Sequence, residues 1–367
     1  MRTLLYKNYC IILLMSFSMT LLANNGGGPK GKYTKEKTIK KEFNVNADAL
    51  LKVRNSYGNL NITSWNEDRV VIEVSIKTNG NNEEKVVKRL QQITVDFENS
   101  NRLVSARTRF GEKDKSWGWS WGKRNNVSVQ VNYTIKVPVK NSVNLNNDYG
   151  NIYLDRIDGH AKINCDYGKM EIGELRGRNN ELRFDYTSNT TFEYVNSAEI
   201  IADYSKYTIE KAGDLQVNAD YTQSVIYEMG DLNYSSDYGS LEIGSVQSIR
   251  GNGDYVGVKL GNVYGDVDIT ADYGSVKIDR LTAEAGDVNI KLDYTGARIG
   301  YDANYNFDFE ITAEYAGVSG KDDFVLNISK EKSNDKYYKG YRGKENSGNN
   351  VYITTDYGSV KFEKNNF

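Results

Sequence analysis

One histidine, two cysteines and two prolines stand among the 367 residues of this sequence. A lone histidine and so little thiol leave almost nothing to build a zinc, haem or thiol centre from. Two prolines, Pro29 and Pro138, exclude a proline-rich linker between distant modules. Neither charge predominates: 47 Lys and Arg face 49 Asp and Glu. That balance excludes a nucleic-acid protein held by a strongly basic face. Beyond residue 23 no apolar run is long enough for a membrane-spanning helix.

What is abundant is tyrosine, 28 residues, together with glycine, 33. The start, MRTLLYKNYCIILLMSFSMTLLANN, has basic Arg2 and Lys7, a short apolar stretch to Ala23 and no acidic residue. It reads as a secretory signal over residues 1–23. Cys10 precedes most of the apolar stretch, so a lipid-bearing cysteine is not expected. Cleavage would leave Cys165 as the single thiol, without an internal disulfide. The Gly- and Lys-rich residues 24–40 read as a flexible leader.

An Asp-Tyr-Gly motif or a near relative recurs at Tyr149, Tyr167, Tyr186, Tyr204, Tyr221, Tyr238, Tyr255, Tyr273, Tyr294, Tyr315 and Tyr357. Successive steps from Tyr149 to Tyr315 are 18, 19, 18, 17, 17, 17, 18, 21 and 21 residues, and the last gap, 42, reads as two steps. An outlying NSYGN lies at Tyr57. In GDVDITADYGSVKIDRL apolar Val267, Ile269 and Ala271 alternate with polar residues before Tyr273, and Val276 and Ile278 do so after it. Each repeat therefore holds two half-buried strands of about five residues. One such unit cannot bury its own apolar face, so stacked coils are required. The expected fold is an all-β, single-domain β-solenoid, a parallel β-helix over residues 142–367. Crossover statistics favour a right-handed one. A dozen coils would make a rod roughly 55–60 Å long.

Residues 41–141 read as an N-terminal β segment whose excursion caps one end. A helix over 82–93 is marked by Asn82 as cap, Glu83 and Glu84 in the first turn, and Val86, Leu90 and Ile93 on one face. Residues 329–350 read as an exposed polar loop between the last two coils.

The apolar start, the first coil LLKVRNSYGNLNITSW, the charged helix, the strand ending Val137-Pro138 and the many Gly-punctuated short strands form a combination. Over about residues 40–367 it resembles the bacterial putative-adhesin family of exported β-strand-repeat proteins. The resemblance implies a fold of repeated strands. It carries over no catalytic or binding residues.

The column of aspartates before the tyrosines has two readings, cation ligands or local acceptors at a bend. The Gly-Gly-x-Gly-x-Asp nonapeptide of calcium-binding solenoids is absent, which favours the bend. The tyrosines could offer sugars a stacking surface, or turn inward and fill the corner of each coil; the inward, structural role is favoured. Trp117, Trp119 and Trp121 share one face if extended, flanked by Lys115, Lys123 and Arg124. They are the candidate ligand-binding residues, for a glycan or a membrane, with a hairpin tip folded on the sheet as the alternative. Cys165 reads as a small core residue and His160 as a surface or turn residue.

No catalytic residue, metal or cofactor is expected, because the acids are spread evenly along the repeats rather than clustered as in polysaccharide lyases or glycosidases. An outer-membrane barrel fails on strand length and on Lys361, Glu363 and Asn365, which share a register with Phe367. The functional expectation is a non-enzymatic protein of the cell surface, in contact with a glycan, matrix or envelope protein. A periplasmic scaffold or envelope-signalling accessory protein is the alternative.

Overall fold

The computed structural model describes residues 31–111 and 127–365. The chain is all-β: 27 strands join one hydrogen-bonded sheet, and a single helix, Glu83–Gln92, accompanies them among the described residues. Strands that run into each Asp-Tyr pair form one parallel ladder, beginning Leu50–Ser56, Ser142–Asp148, Ala161–Asp166 and Asn180–Asp185. Strands that leave the tyrosine form a second, beginning Leu60–Trp65, Ile152–Ile157 and Met170–Leu175. The register pairs like with like: Asp148, Asp166, Asp185, Asp203 and Asp220 lie side by side. From Thr190 onward, strands of neighbouring motifs merge into long ones such as Thr190–Asp203, Lys206–Asp220 and Ile249–Val263. Such runs exceed the expected five residues.

Period-two alternation sets the core. Leu145, Ile163, Leu182 and Ile200 point inward and are buried, as are Leu154, Ile172, Phe192 and Ile209 on the other ladder. One inward column changes size in step: along the ladder Val217, Tyr234, Gly251 and Ile269 follow one another, so the buried Tyr234 has Val217 on one side and Gly251 on the other. A Cβ at Gly251 would lie 2.3 Å from the Tyr234 ring, so the missing side chain makes room for the large one.

At the N-terminal end both ladders turn antiparallel. Leu103–Arg109 lies parallel beside Leu50–Ser56 and carries Thr94–Ser100 antiparallel. Ser128–Pro138 lies beside Leu60–Trp65 and is followed outward by Arg69–Gly80 and then Tyr33–Asn44. The expected flexible leader is thus corrected from Tyr33 onward. Tyr33–Asn44 alternates well enough to add a twelve-residue edge strand. The helix packs on these two strands. Its Asn82 cap accepts from the Lys85 N–H at 3.0 Å, and Val86 and Leu90 are buried.

The C-terminal end departs from the sequence expectation. Asn350–Asp356 pairs in parallel with both Val288–Asp293 and Phe307–Glu314, and so lies between them. Val360–Asn365 likewise joins Gly296–Asp302 to Val318–Ser319. The 42-residue gap before Tyr357 is therefore not two further steps outward. The chain passes one position in each ladder, forms the strands on either side of Tyr315, and returns to fill the positions it left. The expected loop 329–350 is largely structured. Phe324–Lys332 and Asp335–Arg342 form an antiparallel hairpin whose second strand pairs with Phe307–Glu314 and ends the ladder.

Candidate functional site

Twelve tyrosines, the eleven of the motif series and Tyr57, occupy the same turn of successive repeats, between the two ladders. Each has left-handed backbone, with φ between 46° and 63°. The motif explains why. The strand ends at the aspartate, the tyrosine turns, and the next residue is glycine or a small hydroxyl residue in most coils. At Gly168 a Cβ would lie 2.1 Å from the Gly150 carbonyl oxygen. Where Ser205, Thr222 or Thr295 follows instead, its hydroxyl donates back across the turn. Thr222 Oγ1 reaches the Asp220 carbonyl at 2.9 Å and Ser205 Oγ the Asp203 carbonyl at 2.8 Å. Most of the tyrosine N–H groups also donate to the neighbouring repeat, Tyr149 to the Asp166 carbonyl at 2.9 Å and Tyr221 to that of Asp237 at 2.8 Å, whereas Tyr315 donates to the Asn334 carbonyl in the hairpin turn at 2.9 Å.

Left-handed backbone costs an L-residue about 1–2 kcal/mol. Stacking of the rings offsets it. Neighbouring centroids are 4.7–5.3 Å apart with interplanar angles of 2–10° along the whole column. An aromatic pair contributes about 0.5–1.5 kcal/mol beyond area burial. The column stands outward: each ring residue is 46–53% exposed. The inward reading of the tyrosines is therefore corrected, because the left-handed turn swings Cβ away from the core. Ring faces are covered by the rings above and below, so the column offers solvent its edges and hydroxyls. A sugar cannot stack on an interior ring. At one end Phe110 meets Tyr57 edge-on at 5.6 Å.

Beside the rings runs the aspartate column. Three of its carboxylates accept the backbone N–H of the next aspartate: Asp220 N donates to Asp203 Oδ1 at 3.4 Å, Asp237 N to Asp220 Oδ1 at 3.0 Å and Asp254 N to Asp237 Oδ1 at 3.2 Å. These contacts fit the local-acceptor reading. Burial, reinforced by the neighbouring carboxylates, holds Asp166, Asp185 and Asp272 above the usual aspartate range. Among the described residues, no group of three or more His, Cys, Asp or Glu is placed to hold a metal ion. Partial burial in the stack, with neighbouring phenols adding to it, likewise raises Tyr167, Tyr221 and Tyr273.

The remaining candidates are dispersed. Trp117, Trp119 and Trp121 lie outside the described residues. Cys165 is buried in the small column two residues before Tyr167; its Sγ lies 3.6 Å from the Gly150 carbonyl oxygen, and burial pushes the thiol up to about 12. His160 Nε2 lies 2.9 Å from the Asn179 carbonyl oxygen at the surface. On the outer face of the first ladder, a shallow open depression is bordered by Glu199, Gln216, Asn218, Asn233 and Arg250. Sequence reasoning placed Tyr57 outside the ladder and found no signal for the left-handed backbone. The small residue after nearly every tyrosine was that signal.

No protein-family model and no curated protein matches this chain. Solved structures do. A putative cell adhesion protein from Clostridium sporogenes is 12% identical, with 91% of this chain and 100% of that one covered at a TM-score of 0.20. A putative adhesin from Parabacteroides merdae is 9% identical over 89% and 96%, at 0.33. A putative lipid binding protein from Parabacteroides distasonis is 9% identical over 89% and 96%, at 0.31.

Proposed function

We infer that the two parallel ladders are sides of one β-solenoid, and that the chain is an exported, non-enzymatic binding protein of the cell surface. The observation that carries this reading is the outward tyrosine column, a half-exposed aromatic ridge of a size that soluble surfaces seldom leave unused. Its constant spacing suits a ligand extended in one direction, such as a polysaccharide or a fibrous matrix protein. Many weak contacts along such a ligand add through multivalency. Ring edges and hydroxyls, rather than ring faces, would make those contacts. Exposed charges offer little competing chemistry, since many pair across coils, as Lys211 does with Glu228 at 2.5 Å and Lys259 with Glu242 at 2.5 Å. Export rests on the basic and apolar pattern of residues 1–23.

Two measurements test the reading. Protease shaving of intact cells should cleave the chain while a periplasmic control stays protected; protection of both would move the protein to a periplasmic scaffold role. Replacing Tyr204, Tyr221 and Tyr238 together by Phe keeps the stack and removes three hydroxyls. It should weaken adhesion to a glycan or matrix panel, and unchanged adhesion would take the column out of the binding surface.

A further inference from the structure

The tyrosine column meets three geometric requirements for a reaction between its own members. Access is one: each of the twelve residues is about half exposed. Proximity is the second, with centroids 4.7 Å apart at Tyr294 and Tyr357 and 4.8 Å apart at Tyr204, Tyr221, Tyr238 and Tyr255. The third is registry. Parallel in-register strands place equivalent residues side by side, and interplanar angles of 2–5° among those four rings bring the ortho carbons of one close to those of the next. Neighbours held this way react at effective concentrations far above any attainable between separate molecules.

We propose that the column is a site of oxidative phenol coupling, where adjacent rings of one chain join as dityrosine under a peroxidase-class one-electron oxidant supplied with hydrogen peroxide. Each of two neighbouring phenols gives one electron and its hydroxyl proton to the oxidant. The two phenoxyl radicals share spin onto their ortho carbons, and one carbon–carbon bond forms between them. The hydrogen on each joined carbon then moves to the adjacent oxygen and restores both phenols. The two electrons and two protons released reduce one hydrogen peroxide to two waters. The exposed corner leaves the ring edges free to tilt together. The product is a covalent staple from one coil to the next, and among the described residues Cys165 has no disulfide partner.

Tyrosines off the column are internal controls. Tyr227, Tyr264 and Tyr352 are 54%, 40% and 49% exposed, yet none has a stacked ring partner among the described residues. The test treats the full mature chain with a haem peroxidase and hydrogen peroxide, then reads dityrosine fluorescence, the mass on a denaturing gel and the linked peptides by mass spectrometry. Expected are links between consecutive members, Tyr204 to Tyr221 and Tyr221 to Tyr238, in chains of single-chain mass, with a yield per chain unchanged by dilution. Tyr221→Phe retains the ring and should abolish both of those links while the Tyr255–Tyr273 link persists. The proposal is overturned by absence of dityrosine, by a yield that falls on dilution, by links as frequent at Tyr227, Tyr264 and Tyr352 as on the column, or by loss of the Tyr255–Tyr273 link in the variant.

Discussion

Tyr357 stacks on Tyr294 at 4.7 Å, although Tyr315 falls between them in the chain. Its other face meets Tyr315 at 4.9 Å, so the last motif of the sequence is the penultimate ring of the column. Asn350–Asp356 consequently supplies backbone partners to strands on both sides, and Val351, Ile353, Val360 and Phe362 fill the core between them.

Deleting residues 349–367 should therefore unravel more than the terminus. Amide protection should be lost over residues 307–345 and at those amides of residues 288–302 that face the gap left by the returning strands. Repeats between 142 and 281 pair with their neighbours and should keep theirs. Native-state hydrogen exchange reads this, and full protection of Phe307–Glu314 in the truncated chain would contradict the interposed position.

Tyr221 allows stacking to be separated from backbone strain. Ala in its place loses both ring contacts and keeps the left-handed φ of 52°, whereas Gly loses the contacts and relieves the backbone. Tyr221→Ala should lower stability more than Tyr221→Gly, by about 1 kcal/mol. Paired denaturant titrations measure it. An Ala variant as stable as the Gly variant would mean that the backbone there relaxes out of the left-handed region.

The column aspartates predict a pH effect of unusual sign. Asp166, Asp185 and Asp272 have native values raised first by burial and then by neighbouring carboxylates, so the folded chain binds their protons more tightly than the unfolded one. Stability grows as pH falls through the raised values, is complete below the ordinary 3.8, and is lost again as pH rises through them. Asp158, Glu181 and Glu363 act oppositely: hydrogen bonds from Arg156, Lys162 and Lys361 depress them. Their contribution is present above 3.8 for the aspartate and 4.5 for the glutamates, and falls away as pH drops through the depressed values. The melting temperature should thus rise from neutral to mildly acidic pH before declining in stronger acid. Asp185→Asn, which removes charge and keeps an oxygen acceptor, should raise it at neutral pH and flatten the curve. A melting temperature that falls steadily from neutrality would refute the assignment.

Two buried phenols should respond oppositely to the same change. Tyr234 is buried and its hydroxyl has no hydrogen-bond partner. The Tyr133 hydroxyl lies 2.8 Å from Thr108 Oγ1, whose own proton goes to Asn55 Oδ1 at 2.9 Å, leaving Tyr133 as donor. Tyr234→Phe should stabilise the chain by about 1 kcal/mol and Tyr133→Phe should destabilise it by a similar amount. Equal effects, read from chemical denaturation, would point to a water serving Tyr234.

The strand ladder was legible because its signal is local: alternation inside each motif and a constant step between motifs follow directly from the pleat and from stacking. The helix was legible for the same reason, since Asn82, Glu83, Glu84, Val86 and Leu90 act within three turns. What local pattern does not carry is direction and order. Whether a tyrosine ring faces in or out depends on one backbone angle, and the preference of Tyr for right-handed backbone argues against the value it adopts. The place of Tyr357 depends on which of two free strand edges the returning chain joins. A spacing of 42 residues fits either. Tyr33–Asn44 was masked by its lysines, which read as solvated leader although the strand has an edge to pair with.

The parallel register bears on how such a protein can change in size. Between Ser142 and Leu281 each repeat pairs in register with near-copies of itself, so a unit duplicated or lost there leaves its neighbours with the same strand pairings as before. Neither end has that freedom: antiparallel strands close one, and a returning strand pair wedged beneath the final coil closes the other. Such a sheet has fixed end-pieces and a middle that can be lengthened or shortened by whole repeats.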